Sequence, residues 1–388
     1  MTDVLALMDE WGPEKVVCVS DRKSGMKGVL VLDNTARGMG KGGTRMSPTL
    51  SVDEVARLAR TMTWKWAAAD LYYGGAKAGL VGDPNAANKE QLLRAFARAL
   101  SNEVPKEYVF GLDMGLSEKD AAIFVDELGD RGAAVGLPTA LGGVPYDELG
   151  VTGFGVAEAA DAAAQTLSVT MKGARVVIQG FGAVGAAAAE RFRALGATVV
   201  GVSTSVGSVH DPDGLDLNRL LQLRGEAGDG CVREYGGVRP TGDALAFDCD
   251  ILVPAAIQDV VDVDVARSTT ASLVVEGANM PTTGPALEVL AARGVSVVPD
   301  FIANAGGVIA AAFSMDNRYS AFATDPAQIF AHISAKIRGN AATVLLESST
   351  RGTTPHVAAR QIAQERVLAA MRLRGRTAIG EHAKQPVA

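Results

Sequence analysis

The stretch 174–203 constrains this chain more than any other. ARVVIQ (174–179) is an apolar strand, and GFGAVG (180–185) is a glycine turn. AAAAERFRAL (186–195) is a helix, and GATVVGVS (196–203) is a second strand. A strand, a glycine turn, a helix and a strand in that order predict a βαβ unit. Gly180, Gly182 and Gly185 form GxGxxG around Phe181, Ala183 and Val184. The first glycine permits the tight turn, the second lets a pyrophosphate approach the backbone, and the third lets helix and strand pack closely. The phosphate charge then lies at the positive end of the helix. Such a unit usually has an acid about 20 residues on, where it holds the ribose hydroxyls. Here that region reads VVGVSTSVGS, with Ser203, Thr204 and Ser205 at the strand end and no carboxylate. NAD and NADP therefore both stay open.

More of the chain fits a parallel sheet wound with helices. Apolar strands are expected at 251–256, 272–278 and 295–300, and helices from 304 to the end. In the first third, KVVCVS and GVLVLD predict a hairpin within 14–34. Ser51 with Glu54 is a capping box opening the helix SVDEVARLARTMTWKWAAAD. A glycine-rich patch, YYGGAKAGLVGDP, interrupts the pattern before a second helix at 88–100. The fold class expected is α/β.

Composition excludes several chemistries. Lys+Arg 37 against Asp+Glu 44 gives a net charge of −7 with no basic block, so a nucleic-acid partner is not expected. Cys18, Cys231 and Cys249 are odd in number and far apart, which fits neither a disulfide framework nor a CxxC metal site. Four histidines without HExxH argue against zinc hydrolysis. No uncharged apolar run reaches the ~18 residues of a membrane helix, and the N-terminus does not read as a signal peptide. A cytoplasmic protein is expected.

Lysines supply the cations that histidine does not. Lys41 lies in GKGGTRM, Lys65 in MTWKWA and Lys77 in YYGGAKAG, and Asp113 lies in FGLDMG. A lysine among small and aromatic residues loses solvent, and its pKa falls towards neutrality. That permits general base catalysis without histidine.

With these blocks the sequence resembles the glutamate/leucine/phenylalanine/valine dehydrogenase family. GKGGTRM, MTWK, YGGAKAG, GLDMG, LGGVPYDELGVTGFGV, IQGFGAVG, EGANMPTT and FIANAGGV follow in the family's order. The resemblance implies two domains with a cleft between them. A substrate-binding and oligomerisation domain takes 1–145 and a Rossmann-like NAD(P) domain takes 146–330. Helices in 331–388 return to the first domain. It implies reversible oxidative deamination of an L-amino acid to a 2-oxo acid and ammonia, in a homo-oligomer, with a hexamer favoured. Lys77 and Asp113 are then catalytic. Lys65 binds the α-carboxylate, and Lys41, Gly74, Gly75, Thr152, Asn304, Val308 and Ala311 complete the substrate site. The fingerprint, Ser203, Thr204, Ala255, Ala256, Asn279 and Asn304 hold the cofactor.

In that family, a lysine directly before GG in this block accompanies a substrate with a side-chain carboxylate, and Lys41 holds that place. Two residues depart from the glutamate pattern. Ala311 stands where a serine is common, and Leu116 replaces a small polar residue. L-Glutamate is the substrate expected. A leucine, valine or phenylalanine dehydrogenase and a catalytically silent nucleotide-binding relative are the alternatives.

Overall fold

A computed structural model describes residues 4–146, 148–167 and 169–377. They fall into two compact units. The first is built from the described residues of Met1–Pro145, Ala311–Asp325 and Ile362–Ala388. Its strands are β1 (Lys15–Asp21), β2 (Met26–Asn34), β3 (Gly40–Lys41), β4 (Thr44–Ser47), β5 (Gly74–Val81) and β6 (Tyr108–Val109). They order as β1-β2-β5-β3-β6, with β4 also paired to β5. The hairpin expected within 14–34 is β1 and β2, antiparallel from Lys15↔Leu32 to Asp21↔Met26.

The glycine-rich patch is the centre of this sheet and not an interruption. β5 pairs antiparallel with β2 and parallel with β3 and β4. Its small residues reflect the closeness of helix α1 (Val52–Ala68). A Cβ on Gly75 would lie 2.0 Å from Thr63 Oγ1. Small residues hide a strand from hydrophobic-pattern reading, because close packing here replaces large side chains. α1 begins as expected, with the Ser51 side chain accepting from the Glu54 N–H at 3.2 Å. α2 (Lys89–Ala99) and α3 (Glu118–Leu128) pack together. Phe96, Phe110 and Phe124 are fully buried in the same core, with Phe110 and Phe124 stacked at 4.1 Å.

The second unit holds the residues described within Tyr146–Ala310 and Pro326–Gln361. α4 (Val151–Thr166) leads into β7 (Arg175–Gln179), α5 (Ala183–Ala194) and β8 (Thr198–Thr204). Next come β9 (Gly207–His210), α6 (Leu217–Ala227), α7 (Cys231–Tyr235) and β10 (Ile251–Pro254). α8 (Val263–Ser268), β11 (Leu273–Val275), α9 (Gly284–Ala292), β12 (Ser296–Val298) and α10 (Asp300–Ala303) follow. The sheet order is β12-β11-β10-β7-β8-β9. All pairs are parallel except β8 with β9. The chain starts in the middle, at β7, and builds outward to β8 on one side and β10 on the other. That reversal is a topological switch point, where open α/β sheets bind ligands.

Three helices close the described chain: α11 (Gly306–Asp316), α12 (Pro326–Arg351) and α13 (Pro355–Leu373). The segment 331–388, expected to rejoin the first domain as a whole, is divided. α12 packs on α4 in the second unit, burying Ile329, Ile333, Ile337 and Ala341 at four-residue spacing. Gly155 leaves room for Ile337, whose Cδ1 is 2.5 Å from where a Cβ would stand. From Ile362 the described residues group with the first unit. There Arg366 donates to the carbonyls of Ala67 and Ala68 at the end of α1, at 2.8 and 3.0 Å.

Candidate active site and nucleotide turn

In the first unit, strand register gathers the lysines. Lys41 on β3 pairs with Gly75 on β5, and Lys77 follows two residues along the same strand. Side chains two apart share a face. That face is the one α1 covers at Gly75. Lys65 sits in the last turn of α1, half-buried beside the buried Trp66. Gly75 permits the approach of α1, and Gly74 that of the chain at Asn34 and Gly38. A Cβ on Gly74 would lie 2.5 Å from the Asn34 carbonyl oxygen.

The two buried lysines have different partners. Lys77, 6% exposed, forms an ion pair with Asp113 Oδ2. Burial holds the Lys77 pKa below the ordinary lysine value, with Asp113 opposing the fall. Burial would raise the Asp113 carboxyl. Lys77, the Met114 N–H and Arg45 outweigh it and hold Asp113 below the usual range. Arg45 Nε donates to the same Oδ2 at 3.2 Å. Lys41 is 2% exposed, and its Nζ donates to the Val109 carbonyl at 3.1 Å. No carboxylate pairs with it among the described residues. Burial, with Lys77 and Arg318 nearby, lowers its pKa to about 7.

Sequence reasoning missed Arg318 and Arg45. Arg318 follows α11, where Nη1 donates to the Met315 carbonyl and Nε is buried without a described partner. Met315 packs with Val109, whose carbonyl binds Lys41. No motif marks Arg318, whereas Arg45 stood inside GKGGTRM. Ala311 lies on the part of α11 that groups with the first unit, and the Ser314 hydroxyl one turn on is buried without a described partner.

In the second unit, each fingerprint glycine has a distinct geometry. Gly180 has φ +99°, and a Cβ there would lie 2.7 Å from the Ala256 nitrogen. A Cβ on Gly185 would lie 1.9 Å from the Gly180 carbonyl oxygen. Gly182, at the N-cap of α5, would meet nothing within 4 Å. The first and third positions are closed by the protein, and the second faces open space. Phe181, Ala183 and Val184 complete the turn. The Phe181 N–H donates to the Ser203 carbonyl at 2.6 Å, and the Gly180 N–H to Ser203 Oγ at 3.2 Å. Ala255 and Ala256 follow β10 at the switch point, with the Ala255 N–H donating to the Gln179 carbonyl at 2.7 Å. These residues suit a dinucleotide: an open glycine at a helix N-terminus for the pyrophosphate, beside the switch point.

Asn304 is 7% exposed, and its Nδ2 donates to Asn279 Oδ1 at 3.1 Å. Its own Oδ1 is buried without a described partner. The turn carrying Asn279 is held by Asp300, whose Oδ2 accepts from the Met280 N–H at 2.8 Å. Glu276 accepts in turn from the Asp300 N–H at 2.9 Å. Asp300 lies in a segment read only as a strand, and Glu276 opens EGANMPTT, where the sequence marks no role for it. Thr152 stands against the start of α11, its Oγ1 3.3 Å from a Cβ built on Gly307, and Val308 is half-buried one residue on.

A Rossmann-like sheet with an open phosphate turn, and an α/β unit gathering buried lysines and an aspartate, define an NAD(P)-dependent dehydrogenase acting on amino acids. The family model for Glutamate/Leucine/Phenylalanine/Valine dehydrogenase matches residues 142–375. The model for the Glu/Leu/Phe/Val dehydrogenase dimerisation domain matches 13–130. The chain belongs to this family. It is 37% identical to the NADP-specific glutamate dehydrogenase of Saccharolobus shibatae, over 76% of this chain and 74% of that one. It is 35% identical to the NAD-specific glutamate dehydrogenase of Staphylococcus aureus, over 88% and 84%. Among solved structures, the hetero-hexameric glutamate dehydrogenase of Thermus thermophilus superposes with a TM-score of 0.80 at 30% identity, over 95% and 92%. Relatives of both cofactor types leave the choice between NAD and NADP open. No helix among the described residues is long and apolar enough to cross a membrane.

Proposed function

We propose that this enzyme interconverts L-glutamate with 2-oxoglutarate and ammonia. The observation that carries the reading is Lys41, a buried ammonium whose described partner is a single carbonyl. An unpaired buried charge is costly, and a substrate carboxylate placed against it relieves that cost. Arg318 adds a second cation on the same side of the unit. Ala311 lacks the hydroxyl a glutamate pocket commonly offers and favours the apolar reading, but an isobutyl or phenyl group would leave Lys41 unpaired.

In this reading Lys65 binds the α-carboxylate. Asp113 takes a proton from the α-amino group. NAD(P), when bound, accepts the hydride that leaves Cα. Lys77, whose pKa burial lowers, takes a proton from the water that adds to the iminium carbon and returns it to the nitrogen, and ammonia leaves as the hydroxyl proton passes to solvent. Asn304 orients the α-carboxylate and Asn279 the nicotinamide ribose. Gly180, Gly182, Gly185, Ser203, Thr204, Ala255 and Ala256 hold the rest of the dinucleotide. The dimerisation-domain match supports an oligomer, and the hetero-hexameric structural relative supports six subunits; we read this chain as a homo-hexamer and place it in the cytoplasm. Steady-state rates of reductive amination test the substrate. A kcat/KM higher for 2-oxoglutarate than for 4-methyl-2-oxopentanoate is expected, and the reverse order would remove the role of Lys41.

A further inference from the structure

A carboxylate from another segment lies at the end of β8. β8 ends at Thr204, where the chain has no carboxylate. The loop after α6 brings one to that place. Ser205 Oγ donates to Asp229 Oδ2 at 2.5 Å, and Thr204 Oγ1 donates to the Asp229 carbonyl oxygen at 2.8 Å. Thr204 is buried, so the backbone of residue 229 is pinned to the end of the strand. The Asp229 side chain is exposed, and its Oδ1 has no described hydrogen-bond partner. The fingerprint turn abuts the same strand end through the two Ser203 hydrogen bonds. Arg224, on α6, donates to the Phe181 carbonyl, which ties the helix preceding Asp229 to the phosphate turn.

We propose that Asp229 is the ribose acid of this dehydrogenase, delivered from the loop after α6, and that it selects NAD(H) over NADP(H). A carboxylate at this end of the second strand accepts hydrogen bonds from the 2′- and 3′-hydroxyls of the adenosine ribose. Against a 2′-phosphate the same carboxylate is a like charge with no proton to donate. Arg224 is the cation that could favour the phosphate; its Nη1 donates to the Phe181 carbonyl, and its charge opposes that of Asp229 in setting the preference. Sequence reading misses this acid because it looks along the strand, whereas Asp229 lies 44 residues beyond Gly185.

The test is calorimetric and needs no turnover. ADP-ribose and its 2′-phosphate are titrated into the full-length wild type, Asp229→Asn and Asp229→Glu, with thermal unfolding as the control for folding. The wild type is expected to bind ADP-ribose at least about tenfold more tightly than the 2′-phosphate. A hydrogen bond to a charged group sets the scale, so Asp229→Asn should lose about tenfold or more in ADP-ribose affinity. It should bind the 2′-phosphate no worse, and Asp229→Glu should keep a preference for ADP-ribose. A wild type that prefers the 2′-phosphate overturns the proposal, as does an unchanged ratio in Asp229→Asn. Binding of neither ligand by the wild type would overturn it together with the nucleotide site. None of these outcomes depends on which amino acid is the substrate.

Discussion

The two units prepare their ligand sites by opposite means. The phosphate turn of the second unit is made of backbone: three glycines, one with φ +99°, one pressed on a carbonyl and one left open. The lysine site of the first unit is made of charge: two buried lysines and one aspartate on a tightly packed sheet. A backbone site tolerates no Cβ in the wrong place. A charge site tolerates many shapes but no change in the number of charges. Substituting the fingerprint glycines should therefore damage the second unit's candidate site, and neutral replacements of the charged residues the first unit's.

The largest effect is expected at Lys77. Positioned acid–base groups contribute about 100- to 10,000-fold, so Lys77→Ala should lower kcat by about a thousandfold. NADH affinity, measured by fluorescence titration, should stay within twofold or so of wild type, because the nucleotide turn contains no part of this charge set. A kcat near that of wild type would remove Lys77 from catalysis. A collapse of NADH binding would break the comparison, since the two sites would then not be separable.

The same contrast explains what was legible in the sequence. The fingerprint could be read because its backbone geometry demands glycine at fixed spacing: Gly180 takes the positive-φ turn, Gly185 packs on the Gly180 carbonyl, and Gly182 faces open space. The lysine set could be singled out by its small and aromatic neighbours, but its roles came only from resemblance to a family. A lysine in a sequence does not declare its partner. The pairing of Lys41 with Gly75, which brings it beside Lys77, is a matter of strand register, and β3 is two residues long. Such a strand has no hydrophobic period to detect. β5 was missed for a related reason, since GGAKAG carries its packing in the absence of side chains. Arg318 and Asp229 reach their places from distant segments, which no local pattern encodes.

Lys41 sharpens the charge half of the comparison. Lys41→Leu should raise KM for 2-oxoglutarate by about 10- to 100-fold, the scale of a lost charge-assisted hydrogen bond. The same variant should unfold at a higher temperature, because it removes a buried ammonium without a described carboxylate. The pH dependence fixes the sign. The folded-state pKa is depressed to about 7 from 10.5. Below about 7 both folded and unfolded states are protonated, and the full cost of the buried charge is present. Between about 7 and 10.5 the unfolded state binds more protons, so that cost falls as pH rises. The gain from Lys41→Leu should thus be largest at pH 6 and shrink by pH 9. Substrate binding runs the other way, since the free enzyme loses the cation above about 7. Log KM for the dicarboxylate should climb with pH there in wild type and stay flatter in Lys41→Leu. Equal slopes would mean that Lys41 does not meet the substrate.

A smaller effect tests the backbone half. Gly182→Ala should leave the unfolding temperature within a degree or two of wild type, because a Cβ there meets nothing within 4 Å. It should weaken NADH by about tenfold if the pyrophosphate needs that space. Gly185→Ala should instead destabilise the fold, since its Cβ would lie 1.9 Å from the Gly180 carbonyl oxygen. If both variants behave alike, the open glycine has no special function.

The smallest effect, and the finest probe of the substrate, is at Ala311. A serine hydroxyl beside a carboxylate that Lys41 already holds adds only part of a hydrogen bond's worth, so Ala311→Ser should lower KM for 2-oxoglutarate by about two- to tenfold with kcat little changed. It should not help 4-methyl-2-oxopentanoate, whose branched end has nothing to accept the hydroxyl proton. Ala311 lies one helical turn before Ser314, whose hydroxyl is already buried without a described partner. If Ser314 supplies the missing hydroxyl, adding one at 311 is redundant and KM will not move. Ser314→Ala then becomes the informative variant, raising KM by the amount Ala311→Ser failed to lower it. If neither variant changes KM, the substrate's far end does not reach α11, and the selectivity rests on Lys41 and Arg318 alone.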